Sequence, residues 1–154
     1  MVNQTHNFST TERMQIEWQC QQFLFRVASL LDGAQWQALA QCYTEDAQLF
    51  RPSDPNTAIY GRKAILESFY QRAPRSSCHL ISNICFDIHA AGQITASSKV
   101  LLVTGSISEQ LPVIADENIL VGSFVDQLVQ IDDQWLIQQR KGRIELKYCS
   151  RPGL

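Results

Sequence analysis

Apolar residues recur at the helical period from Met14 onward. Met14, Trp18, Phe25 and Ala28, joined by Leu24, Val27 and Leu31, mark one face of a long first helix. Ser9-Thr10-Thr11-Glu12 supplies its start, because a Ser N-cap followed three residues later by Glu forms a capping box, and Asp32-Gly33 supplies its end. The spacing of Trp36, Leu39, Ala40 and Tyr43 predicts a short second helix. Ala47 to Phe50, just ahead of Arg51-Pro52, suits a short strand, and a polar loop follows it. Ile59-Tyr60-Gly61 then leads into a third helix with Ile65, Leu66, Phe69 and Tyr70 on one side, closed by Pro74.

Past this point the texture becomes β-rich, in runs from Cys78 to Ala90, Ile94 to Glu109, Asn118 to Ile131 and Gln134 to Tyr148. Ala91-Gly92 and Asp132-Asp133 suit hairpins, whereas Leu111 to Glu117, with Pro112, is a longer loop. Strands this long must bend, and Gly105, Gly122 and Gly142 stand where bulges or kinks would curve the sheet. The expected fold is α+β: a cone-shaped barrel of three helices packed into the concave side of a strongly curved antiparallel sheet. One domain over residues 1–154, with a polar amino-terminal arm over residues 1–9, accounts for the whole chain.

The run from Asn118 to Ile131 is apolar on both faces. Ile119, Val121, Val125, Val129 and Ile131 alternate with Leu120, Phe124 and Leu128. A strand of this kind is covered on both sides. The helices cover one, so the other is expected to meet a second copy of the chain in a two-fold dimer.

Composition narrows the function. With 154 residues, 45% hydrophobic and 18% charged, the chain is long enough for one domain with a sizeable core. A formal net charge of -2 without any basic run argues against nucleic-acid binding, which needs clustered Lys and Arg for phosphates. No apolar stretch approaches the roughly 20 residues of a membrane helix, and the first fifteen residues carry no signal-peptide core. The expectation is a cytoplasmic protein whose partners are small molecules and copies of itself. Cys20, Cys42, Cys78, Cys85 and Cys149 form no Cys-x-x-Cys pair and read as reduced, mostly buried residues. Cys78 adjoins His79, but neighbours along a strand point to opposite faces.

Three separated residues propose a site: Asp32 at a helix end, His79 on a strand and Arg140 on the last strand. A carboxylate can orient an imidazole for proton abstraction while a guanidinium holds a developing or departing anion. Each also has an ordinary reading. Asp32 before Gly33 suits a helix-end turn, His79 a core histidine satisfied locally, and Arg140 an ion pair with Glu145 or Asp126. Neither His6 nor His89 forms metal-ligand spacing with a third donor, and no Gly-rich phosphate loop occurs, so no cofactor is expected. Trp18, Trp36, Phe50, Tyr60, Phe69 and Phe124 are core or pocket lining, with core the default for each and all but Trp18 carried as ligand-binding candidates. A pocket lined this way suits an apolar or aromatic ligand.

The phrases Leu31-Asp32-Gly33-Ala34-Gln35-Trp36 with Tyr43-Thr44-Glu45-Asp46-Ala47, Tyr60-Gly61-Arg62-Lys63-Ala64-Ile65, His79-Leu80-Ile81-Ser82-Asn83 and Val129-Gln130-Ile131-Asp132-Asp133-Gln134-Trp135 carry a resemblance. In this order they resemble the nuclear-transport-factor-2-like superfamily, particularly its polyketide-cyclase (SnoaL-like) branch, across nearly the whole chain. The Asp–His pair of scytalone dehydratase and of hexachlorocyclohexane dehydrochlorinase is similar to Asp32 and His79. The dehydrochlorinases also have an arginine two residues before a glycine in the last strand, as Arg140 stands here. What this resemblance implies is a cofactor-free lyase or isomerase: His79 as base, Asp32 fixing its tautomer, Arg140 assisting the leaving anion. The chain departs from those enzymes at Thr104, where scytalone dehydratase has a second histidine, and at Val27, where the dehydrochlorinase has a lysine. Thr104 is carried as a pocket residue. Ketosteroid isomerase is similar in fold alone, since its base position falls on Arg51. The β subunits of ring-hydroxylating dioxygenases resemble the chain in the same phrases, which implies the alternative of a noncatalytic ligand-binding or subunit-type module.

Overall fold

The computed structural model describes residues 8–149, so most of the amino-terminal arm, with His6, lies outside the described residues. Helix α1 runs Thr10–Asp32, and Ser9 and Glu12 form the capping box that the sequence announces. Its buried stripe is Cys20, Leu24, Val27, Ala28 and Leu30. Met14 and Trp18 are instead 65% and 61% exposed, so neither belongs to the core. The buried residues of α1 begin at Cys20, so the helix docks by its second half. Trp135 Nε1 also donates to Gln19 Oε1 at 3.2 Å, tying the middle of α1 to the last strand.

Helix α2 is Trp36–Ala40, and strand β1 is Tyr43–Arg51. Tyr43, which continues the helical period in sequence, thus opens a strand. The chain has already entered the sheet at Cys42, whose carbonyl accepts from the Ile137 N–H at 2.8 Å. The polar segment after Pro52 is strand β2, Asp54–Tyr60, where a loop was expected. Helix α3, Arg62–Tyr70, follows with Ile65 and Phe69 buried. The four long strands are β3 Ser76–Ala90, β4 Gln93–Gly105, β5 Ala115–Ile131 and β6 Gln134–Cys149.

These strands make one six-stranded sheet in the order β2-β1-β6-β5-β4-β3. The fold is α+β with three helices packed on one sheet, as the pattern implied, but the sheet is open rather than a closed barrel. The sheet is mixed, however, because β1 pairs parallel with β6. Register shifts at Ser82/Cys85, Val103/Gly105 and Val121/Gly122 place bulges in the long strands. At Gly122 the need for glycine is steric: a Cβ there would stand 2.3 Å from the Arg143 carbonyl oxygen. Gly142 is tight for another reason, since a Cβ would meet the Pro52 ring at 2.5 Å.

The core lies between helices and sheet, around Leu24, Leu39, Tyr43, Ile65, Phe69 and Ile137. On β5, Phe124 and Leu128 are buried, whereas Val125 and Ile131 on the opposite face are 42% and 48% exposed. Cross-strand partners share a face. Two apolar rows therefore cross the outer face: Leu80, Leu101, Val121 and Leu146, then Cys78, Val103, Ile119 and Tyr148. The inner rows alternate with them, His79 beside Leu102 and Leu120, then Ile81 beside Val100, Gly122 and Ile144.

Candidate active site

Asp32 is the last residue of α1, and its carboxylate reaches across to β3 rather than back into its own turn. Gly33 does not adopt the left-handed conformation of an ordinary helix-end turn; Ala34 does, at φ 51°. Three donors hold the carboxylate: the Ser77 hydroxyl at 2.9 Å, the His79 backbone N–H at 2.8 Å and the His79 Nδ1 at 2.5 Å. Because an ionised carboxylate can only accept, Nδ1 carries the proton and the neutral ring keeps its Nε2 lone pair. Burial is the main reason that the His79 pKa is lowered, with Arg72 and Arg75 acting the same way and Asp32 opposing. The ring is therefore uncharged at neutral pH, the state a base requires.

His79 borders a cavity of about 350 Å³ between α2, α3 and the inner face of the sheet. Its apolar wall is Val100, Leu102, Leu120, Phe124 and Ile144 from the sheet, faced by Leu31, Leu39 and Phe69. Alternation explains why His79 is inside while Cys78 and Leu80 are exposed on the other face. Phe69 and Phe124 thus line the cavity, and the other expected aromatic linings do not. Trp36 lies behind Phe69, stacked on it at 5.5 Å. Phe50 lies under Lys141, and Tyr60, next to last residue before α3 on the edge strand β2, is 66% exposed. Thr104 hydrogen-bonds Asp116 in a separate surface groove beyond the bulge at Gly105. Val27 is fully buried in the core.

Arg140 also borders the cavity, but as half of an ion pair. Its Nε and a terminal nitrogen donate to the two Asp126 oxygens at 2.7 and 2.8 Å, and both residues are buried. Its guanidinium lies over the Phe124 ring at 4.5 Å. Burial opposes its charge, but Asp126 and neighbouring groups outweigh this and raise its pKa. The ion-pair reading of Arg140 thus holds with Asp126 as the partner, and the pair stands at the cavity wall.

Tyr43, Arg51 and Arg72 also line the cavity and were not singled out from sequence as site residues. Tyr43 is fully buried beside Arg140, and burial pushes its phenol up to about 12, so it remains a hydrogen-bond donor. Arg62 Nε holds the Tyr43 carbonyl at 2.8 Å, linking α3 to the start of β1. In sequence Tyr43 simply continues the helical period of Trp36, Leu39 and Ala40, so no local signal marked it as a cavity residue. Among the described residues no group of three or more His, Cys, Asp or Glu side chains could hold a metal ion, and no helix is long and apolar enough to cross a membrane.

The SnoaL-like domain model matches residues 12–141. The chain belongs to the SnoaL-like domain family. No curated protein sequence matches it significantly. Among solved structures it is similar to a scytalone dehydratase-like protein from Novosphingobium aromaticivorans, with 23% identity, 93% of each chain covered and a TM-score of 0.78. It is similar also to a type 2 hexachlorocyclohexane dehydrochlorinase, LinA, with 14% identity, 95% of this chain and 100% of that one covered, and a TM-score of 0.73. A Catenulispora acidiphila protein in complex with S-DNPA matches at 20% identity over 85% of this chain and 94% of that one, with a TM-score of 0.69. These likenesses establish the cone-type fold of the SnoaL-like members. Family membership supports a ligand-binding or cofactor-free catalytic role for the cavity.

Proposed function

We propose that the protein is a cofactor-independent lyase or isomerase acting on a small apolar or aromatic molecule, with His79 as general base. The observation that carries this reading is the His79–Asp32 hydrogen bond of 2.5 Å at the wall of an apolar cavity, which leaves Nε2 as the unoccupied basic nitrogen. His79 takes a proton from a carbon of the bound molecule. Asp32, held by Ser77 and the His79 backbone, keeps the tautomer and stabilises the imidazolium that forms. Electron density moves to an oxygen or leaving group, where the neutral Tyr43 phenol donates. Arg140, already neutralised by Asp126, serves through its hydrogen-bonding edge and by orienting Tyr43 and Phe124 more than through net charge.

The test uses 2-tetralone, an apolar carbon acid, in deuterated buffer, with deuterium uptake beside the carbonyl followed by NMR. The protein accelerates exchange over buffer, and His79→Ala abolishes the acceleration while leaving the melting temperature nearly unchanged. Exchange no faster than buffer, or a fully active His79→Ala, overturns the mechanism.

We also propose that the outer face of the sheet joins two copies of the chain. Its support is the pair of apolar rows on that face, in which Leu80, Leu146 and Tyr148 are 57%, 66% and 63% exposed.

A further inference from the structure

The cavity is apolar in its walls and cationic at one side. Arg51, at the end of β1, Arg72, just after α3, and Arg75, just before β3, all border it, and Arg72 is close enough to the other two to feel their charge. No Asp or Glu is among the residues that line it. The carboxylates bonded to the cavity's own His79 and Arg140 are committed to them, Asp32 to Ser77 and His79, Asp126 to Arg140. Arg143, the remaining arginine at the rim, is satisfied by Glu145 at 2.9 Å. Arg51, Arg72 and Arg75 have no ion-pair partner among the described residues.

Two details show that these arginines are incompletely satisfied by the protein. Arg51 donates one terminal nitrogen to the Ser68 carbonyl, but its Nε is buried without a hydrogen-bond partner among the described residues. Arg72 stands over the Phe69 ring at 5.7 Å, and burial together with Arg75 and Arg51 brings its pKa down to about 10. It is still charged at neutral pH. Gathering like charges next to an apolar cavity is unfavourable unless an anion joins them. A guanidinium fork matches a carboxylate in particular, with two parallel donors for two oxygens.

We propose that the molecule taken up by this cavity is an apolar organic acid, its carboxylate seated on Arg51 and Arg72 with Arg75 at the mouth and its ring body against Val100, Leu102, Leu120 and Phe124. This rests on the reading of the cavity as the ligand site. His79 lines the same cavity as the three arginines, within electrostatic reach of Arg72 and Arg75. The arginines therefore select the substrate and orient it, while His79 reacts.

Calorimetric titration of the protein with 1-naphthoate and with 1-naphthamide, its neutral counterpart, tests the proposal. Naphthoate binds more tightly by about tenfold or more, and the gap narrows at high salt. Arg72→Met closes most of the gap, and Arg75→Gln, an exposed position, closes part of it. Equal affinities for the two probes overturn the anion preference and leave the cavity as an apolar site. Binding of neither probe, or binding that survives Leu120→Trp in the cavity wall, overturns the preference and the cavity reading together.

Discussion

His79 and Asp32 combine two requirements that usually conflict. The ring is buried, which disfavours its charge, yet it is bonded to a carboxylate that favours it. Burial wins, so the folded protein binds the His79 proton only at lower pH than the unfolded chain, whose ordinary value is about 6.5. Stability from the neutral ring is therefore complete above that value and is lost as pH falls from there through the lowered folded value. Urea midpoints between neutral and mildly acidic pH are expected to fall more steeply for the wild type than for His79→Gln, and equal slopes would assign the titration elsewhere. Asp32→Asn keeps the shape of the site but loses the tautomer control, and should slow 2-tetralone exchange by roughly 100-fold or more. Asp126→Asn leaves Arg140 buried without its countercharge. The expected cost is about 3 kcal/mol, read from the urea midpoint.

Strand β5 shows how one element serves two purposes. Its inner face supplies Leu120, Gly122 and Phe124 to the cavity and Leu128 to the core, while Val121 and Val125 point outward. At the register shift Val121/Gly122, within the cavity wall, the backbones of β5 and β6 approach too closely for a side chain at position 122. Gly122→Ala forces the Arg143 carbonyl away and strains the wall opposite His79. A loss of about 2 kcal/mol is expected, together with weakened naphthamide binding, because the displaced strand is the one that carries Leu120. Unchanged stability would mean that the bulge relaxes without cost.

At the scale of the molecule, the helices cover the inner face and leave the two outer apolar rows open. A sheet-to-sheet dimer would bury them, with an interface on the order of 1,600 Å² or more in total. Sedimentation at micromolar concentration is expected to give twice the chain mass of 17.5 kDa, and Leu146→Glu to return it to the monomer. A wild type that sediments as a monomer across this range excludes the arrangement. The cavity faces away from the outer rows, so Leu146→Glu leaves 2-tetralone exchange unchanged if each copy works alone.

Local pattern carried much of this architecture. The capping box at Ser9 and Glu12, the helical stripe of Leu24, Val27 and Ala28, and the four long alternating runs each act through neighbours in sequence, so they could be read directly. Asp32 and His79 were recognisable as a pair through the phrases that resemble the Asp–His enzymes, since each residue alone is ordinary in its element, and the fold does bring them together. Other features depended on what lies across space. Strand β2 is an edge strand with most of its residues exposed, so burial imposes no alternation on it, and only pairing with β1 makes it a strand. The parallel join of β1 to β6, which turns Tyr43 from a helical position into a cavity residue, joins segments about ninety residues apart. Arg51 and Arg72 look like surface residues in sequence, because periodicity assigns a residue to an element and a face but not to the gap between elements. That gap exists once α2, α3 and the sheet are assembled, and its chemistry was decided there.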